Sequence, residues 1–137
     1  MRLTSFTDYG LRALMRMAAT PDVALSTATL ADELRLSRNH LAKIMQCLSR
    51  AGYITTRRGG GGGALLARPP EDIRLGDVVR LLEQGQAIVE CFAEGGGSCT
   101  LTGSCRLKRR LRTAEESFLR DLNRSTLAQI AGAPQAA

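Results

Sequence analysis

Two short stretches of helical period lie almost end to end between residues 26 and 52. The first, capped by Ser26 or Thr27, carries Leu30, Ala31 and Leu34. The second directs Leu41, Ile44, Met45, Leu48 and Ala51 inward, because residues three and four apart share one face of a helix. Leu36 and Ser37 supply the turn and the second cap. Gly52 closes that helix as a residue free to adopt the left-handed conformation past its end. Two short helices joined this tightly, the second rich in polar and basic residues, predict a helix-turn-helix.

The next segment narrows the prediction. Tyr53-Ile54-Thr55-Thr56 is of β type, Arg57 and Arg58 follow, and then come five glycines, Gly59 to Gly63. Ala64-Leu65-Leu66-Ala67 is a second apolar run, stopped by Pro69 and Pro70. A strand, a flexible basic turn and a strand directly after a helix-turn-helix form a wing. The glycine run lacks the Gly-Lys-Ser/Thr ending of a phosphate loop, and a β-type segment follows it rather than a helix, so it is not a nucleotide cradle.

Ahead of the helix-turn-helix, Ser5 or Thr7 caps a helix with Asp8 in its first turn, Leu11, Leu14, Met15 and Ala18 on one face, and Pro21 beyond its end. After the wing, Ile73, Leu75, Val78, Val79 and Leu82 mark another helix that stops near Gly85. Residues 90–105 have no period. From Ser104 a long helix repeats Leu107, Leu111, Ala114, Phe118 and Leu122 over about five turns. A helix of that length in so small a chain packs on a symmetry mate. Ser125 caps a last short helix. The expected fold is mainly α: a winged helix-turn-helix DNA-binding region with a small two-stranded wing over residues 1–68. Residues 69–137 add a cysteine loop and a long C-terminal dimerisation helix.

Charge sharpens this outline. The chain carries a net charge of +6, and residues 1–68 hold all of it, with ten Lys/Arg against four Asp/Glu; residues 69–137 balance at nine of each. An excess confined to the helix-turn-helix half implies a polyanion, double-stranded DNA. Aromatic residues are 4% with no Trp, too few for a platform on which single strands stack. The first turns of a recognition helix meet base edges, which selects Ser37, Arg38, Asn39 and His40, with Lys43 one turn on. Arg pairs with guanine and Asn with adenine. Arg57 and Arg58 on the wing reach a neighbouring groove. One histidine, no nucleophile paired with a base and no cofactor fingerprint argue against an enzyme. No apolar stretch long enough for a secretory leader or a membrane span occurs, so a cytoplasmic protein is expected, without a membrane partner and with reduced thiols.

Three of the four cysteines, Cys91, Cys99 and Cys105, fall within fifteen residues of a glycine-rich loop. Cys47, beside Ile44 and Leu48, reads as a helix-packing thiol. Structural zinc prefers four ligands in close Cys/His pairs, which are missing here, whereas iron–sulfur clusters prefer thiolates and tolerate wider gaps. The pattern favours an iron–sulfur cluster over zinc or uncommitted thiols. Three cysteines leave one position open; Glu90 and Glu94 are near in sequence, and Asp8 is the carboxylate that a dimer could bring in.

Met1 to Arg12, the Ser37 to Lys43 stretch, Arg58 with its glycines, Ile73 to Val79, and the Cys91, Cys99, Cys105 segment together resemble the NsrR-like nitric-oxide-sensing iron–sulfur repressors. These belong to the IscR/NsrR superfamily of winged-helix transcription regulators, and the resemblance covers nearly the whole chain. It implies a homodimeric repressor in which Cys91, Cys99 and Cys105 hold a [4Fe–4S] cluster, with [2Fe–2S] the alternative, completed by Asp8 from the other subunit. Nitric oxide would nitrosylate the cluster and release DNA. The same resemblance leaves open a regulator of this fold that senses iron, oxygen or redox state. IscR-like members use a histidine near the third cysteine, and this chain has none there.

Overall fold

The computed structural model describes residues 2–101 and 103–132. Among the described residues there are six α-helices and a two-stranded antiparallel sheet: α1 Ser5–Ala19, α2 Thr27–Leu34, α3 Arg38–Arg50, β1 Ile54–Arg57, β2 Gly63–Leu66, α4 Leu75–Leu82, α5 Arg106–Leu122 and α6 Leu127–Ile130. This is the mainly helical winged-helix architecture that the sequence predicts.

Local chemistry accounts for most of the boundaries. Ser26 and Ser37 cap α2 and α3, their hydroxyls accepting the N–H groups of Thr29 and His40. The cap of α1 is Thr4, not Ser5 or Thr7: Thr4 is extended, and its Oγ1 accepts the Thr7 N–H at 3.3 Å. Asp8 occupies the first turn as expected. Ile73 stays extended and fully buried just before α4, behind one 3-10 turn at Pro70–Asp72. α4 has no cap of its own. Asn123, from the end of α5, accepts the Asp77 N–H at 2.9 Å and donates to the Asp77 carboxylate at 3.0 Å. Thr126, rather than Ser125, opens α6 through a capping box with Gln129.

The wing pairs Ile54 with Leu66 through to Arg57 with Gly63. Leu25 adds a bridge to Ala64, with N–H···O distances of 3.0 and 2.8 Å, and so ties the wing to the entry of α2. The glycine run is a fitted turn. The Gly62 N–H bonds the Gly59 carbonyl at 2.8 Å, and a side chain at 62 would stand 2.6 Å from the carbonyl oxygens of Arg57 and Gly59.

One core runs through the chain. Leu14, Leu30, Leu41, Ile44 and Leu48 meet Ile73, Val78, Leu82 and Leu127 in a single cluster. Burying each such side chain contributes roughly 1.5–3 kcal/mol, so α4 and α6 help to hold the helix-turn-helix. The long helix behaves differently. Leu119 is its buried residue, whereas Leu107 is 63% exposed, Ala114 is exposed, and Leu111, Phe118 and Leu122 are half-buried. Its apolar stripe is not consumed by this chain's core. No helix among the described residues is long and apolar enough to cross a membrane.

Candidate nucleic-acid interface and cysteine loop

The first turn of α3 projects Ser37, Arg38 and Asn39 into solvent, and Lys43 is exposed one turn later. Ser37 already spends its hydroxyl on the cap. Arg38 lies 3.4 Å from the Asp32 carboxylate, with both side chains about two-thirds exposed at 65% and 69%. A pair so open contributes little, and the guanidinium can exchange Asp32 for a phosphate or a base edge. Lys43 continues into a shallow groove with Gln46, Arg50, Thr27 and Thr56. Gln46 and Arg50 extend the face that the sequence selects, since 39, 43, 46 and 50 step by four, three and four along one side of the helix. Arg57 ends β1 and Arg58 begins the turn, both exposed.

His40 is placed differently from its neighbours. Its ring is half-buried, edge-on to Tyr9 at 5.4 Å between centroids and tilted against Phe6 at 6.0 Å. Both partners belong to α1, so this side chain joins α1 to the start of the recognition helix. The Arg12 guanidinium lies 5.6 Å from the Tyr9 ring centroid. Arg12 also forms a bidentate pair with Asp8, at 3.1 and 2.8 Å. Asp8 is therefore on the solvent side of α1, engaged within its own helix.

The cysteine loop leaves α4 and returns at α5. Cys91 sits in a 3-10 turn, Glu90–Phe92, and is half-buried; Cys99 is exposed; Cys105 is the N-cap of α5, its Sγ accepting the Lys108 N–H at 3.4 Å. The Arg112 guanidinium covers the Phe92 ring at 4.4 Å and fastens the loop to α5. The Glu90 carboxylate accepts the Ser98 N–H at 2.6 Å and its hydroxyl at 3.0 Å. These bonds, with a further one from the Cys99 amide, hold the Glu90 carboxyl below the usual carboxylate range. Cys47 lies apart, half-buried against the core. Among the described residues, no three His, Cys, Asp or Glu side chains converge closely enough to hold a metal ion, so one chain by itself does not gather Cys91, Cys99, Cys105 and Asp8.

Two carboxylates brace this half of the molecule. Glu83, just past α4, accepts the Thr4 N–H at 3.0 Å and the Thr4 and Thr7 hydroxyls at 2.6 and 2.7 Å. Glu116 of α5 grips Arg80 of α4 through two 3.0 Å bonds. The Arg80 guanidinium holds the Glu116 carboxyl below its usual value.

Comparison with known proteins agrees with this architecture. Residues 3–133 match the family described as Rrf2, iron-dependent transcriptional regulator. CymR, the global cysteine regulator of B. subtilis, is 26% identical with a TM-score of 0.75, the match covering 96% of each chain. CymR of Staphylococcus aureus is 27% identical with a TM-score of 0.71, over 97% of this chain and 100% of that one. IscR of T. potens is 26% identical with a TM-score of 0.73, over 100% and 93%. With family match, winged helix and basic recognition face in agreement, this chain belongs to the Rrf2 family and is a DNA-binding transcriptional regulator, not an enzyme.

Proposed function

We propose that the chain is a homodimeric cytoplasmic repressor whose grip on double-stranded DNA depends on an iron–sulfur cluster, and that nitric oxide is its signal. Residues 1–68 contact DNA; residues 69–137 hold the cluster and the dimer. The single observation that carries the reading is the placement of three thiols on one loop closed at both ends by α4 and α5, with Cys105 capping the helix whose apolar stripe its own core leaves uncovered. The donor set fits the group: three soft thiols outside any disulfide. The family resemblance puts Asp8 of the other subunit at the fourth position of a [4Fe–4S] cluster, and Glu90, occupied by loop amides, does not compete for it; a [2Fe–2S] form is the alternative. Such a cluster supplies irons that bind nitric oxide. Carboxylate oxygen is a harder and weaker donor to iron than thiolate, so Asp8 would leave one position easy to displace. Asp8 cannot serve iron and Arg12 together; its release would return it to the bidentate pair seen here.

A second reading keeps the fold and the DNA face but makes the thiols themselves the sensor, or sets iron, oxygen or redox state as the signal. The separation of the cysteines within one chain favours its thiol form.

Visible absorption with iron and sulfide analysis of protein purified without oxygen separates a cluster from bare thiols, and DNA affinity with and without nitric oxide separates that signal from iron, oxygen or redox state. Cys91→Ala, Cys99→Ala and Cys105→Ala each abolish iron binding, and Cys47→Ala retains it. Asp8→Ala keeps the iron but changes the spectrum and the rate of reaction with nitric oxide. Colourless wild-type protein that still binds DNA would remove the cluster reading, and bleaching by Cys47→Ala alone would redraw the ligand set.

A further inference from the structure

The segment between Cys91 and Cys99 contains Gly95, Gly96 and Gly97, and left to itself such a stretch is an open coil. In the structure it is closed. All three glycines have positive φ, +85°, +77° and +62°, a run of left-handed residues that turns the chain back on itself. The turn delivers Ser98 and Cys99 to the carboxylate of Glu90, with the Ser98 N–H at 2.6 Å and its hydroxyl at 3.0 Å. A side chain at position 97 would collide with the Glu90 methylene, so glycine there is what admits the closure.

We infer that Glu90 is a positioning residue that ties the Cys99 end of the loop to the Cys91 end, and so to α5, before any metal binds. The Cys91 end is fixed because its neighbour Phe92 lies under Arg112 of α5. The Cys99 end is fixed because the Ser98 N–H and hydroxyl and the Cys99 amide are held by the Glu90 carboxylate. Cys105 is the α5 cap itself. Ordering a glycine-rich loop costs conformational entropy at the moment of binding; the clip meets the backbone part of that cost between residues 90 and 99 during folding, and binding has then to draw the thiols together. Glu90, adjacent to a thiol and superficially available as a ligand, is instead committed to amides. The inference rests on the reading of Cys91 and Cys99 as the functional thiols, but its first measurement does not.

That measurement is amide exchange of Ser98 and Cys99 in metal-free, oxygen-free protein. Glu90→Ala accelerates both amides by about tenfold, the scale of a lost charge-assisted hydrogen bond, while Glu90→Gln, which keeps a carbonyl acceptor, recovers most of the protection. The second measurement uses Co(II) as the probe metal, read by its thiolate charge-transfer band. Glu90→Ala weakens Co(II) binding about fivefold and Glu90→Gln stays near wild type. Exchange unchanged in Glu90→Ala overturns the clip whatever the cofactor proves to be. Loss of Co(II) binding in both variants with exchange unaltered would make Glu90 a ligand and also overturn it. A wild-type protein that clips its loop yet accepts no iron would sink the cluster reading and leave the clip standing.

Discussion

His40 lies in the segment proposed to meet DNA, yet its ring packs inward on α1. Its three predecessors point to solvent, while its ring meets Phe6 and Tyr9 on α1. Aromatic pairs of this kind contribute about 0.5–1.5 kcal/mol beyond simple burial, enough to set the angle at which the first turn of α3 leaves the core. His40→Phe keeps the packing and loses the ring nitrogens; His40→Ala loses both. On duplexes selected by the wild-type protein from a random pool, fluorescence anisotropy should give near-normal affinity for His40→Phe and a loss of up to about tenfold for His40→Ala. Equal losses in both would return His40 to the DNA contacts. Its neighbours separate by a different criterion: Asn39→Ala relaxes sequence preference, whereas Arg58→Ala weakens all duplexes alike and makes the salt dependence shallower. A flat salt response in the wild type would contradict a phosphate-led interface.

Among the elements, α1 owes its start to a residue nearly eighty positions away. Glu83 takes three hydrogen bonds from Thr4 and Thr7, and Thr7 is wholly buried. Glu83→Ala leaves the Thr7 hydroxyl with Thr4 Oγ1 as its partner and costs about 1–3 kcal/mol of stability in urea unfolding; an unchanged midpoint would show that water replaces the carboxylate freely. This dependence also explains which boundaries the sequence reveals. Ser26 and Ser37 cap helices that begin right after them, and both are legible from order alone. Thr4 is a cap reinforced by Glu83, and Asn123 caps α4 from the end of α5, so neither can be found by reading along the chain. The exposed polar face of α3 is legible as far as Lys43; Gln46 and Arg50 extend it in the structure, and basic and polar residues on a helix read equally well as a solvated surface. The three cysteines were legible as a group, but the role of Glu90 was not, since only the folded loop brings Ser98 back to it.

At the scale of the whole molecule, the arrangement of α5 raises the question of what covers it. Leu107, Leu111, Ala114 and Phe118 share one face, yet this chain buries only Leu119 of α5. The stripe runs on into a groove that Phe118 lines together with Leu3 and Ile88, the latter two 40% and 42% exposed. Contiguous apolar surface of this sort marks an association site, and a second copy of α5 supplies a matching stripe by symmetry. A dimer built there would set the separation of two recognition helices, and half-sites one helical turn apart, roughly 34–36 Å, tolerate little change in it. It would also place each cysteine loop, through its attachment to α5, beside the interface that fixes that separation. Leu107→Asp with Leu111→Asp tests this without touching the core, because Leu107 is 63% exposed and the half-buried Leu111 lies outside the core cluster. Sedimentation should report a monomer with an unchanged circular dichroism spectrum. Affinity for a two-half-site duplex should fall by about 100-fold or more as the second contact ceases to be intramolecular, while affinity for a single half-site stays as it was. A doubly substituted protein that remains dimeric, or one that loses half-site affinity equally, would move the interface away from α5 and with it the route by which the cysteine loop could act on DNA.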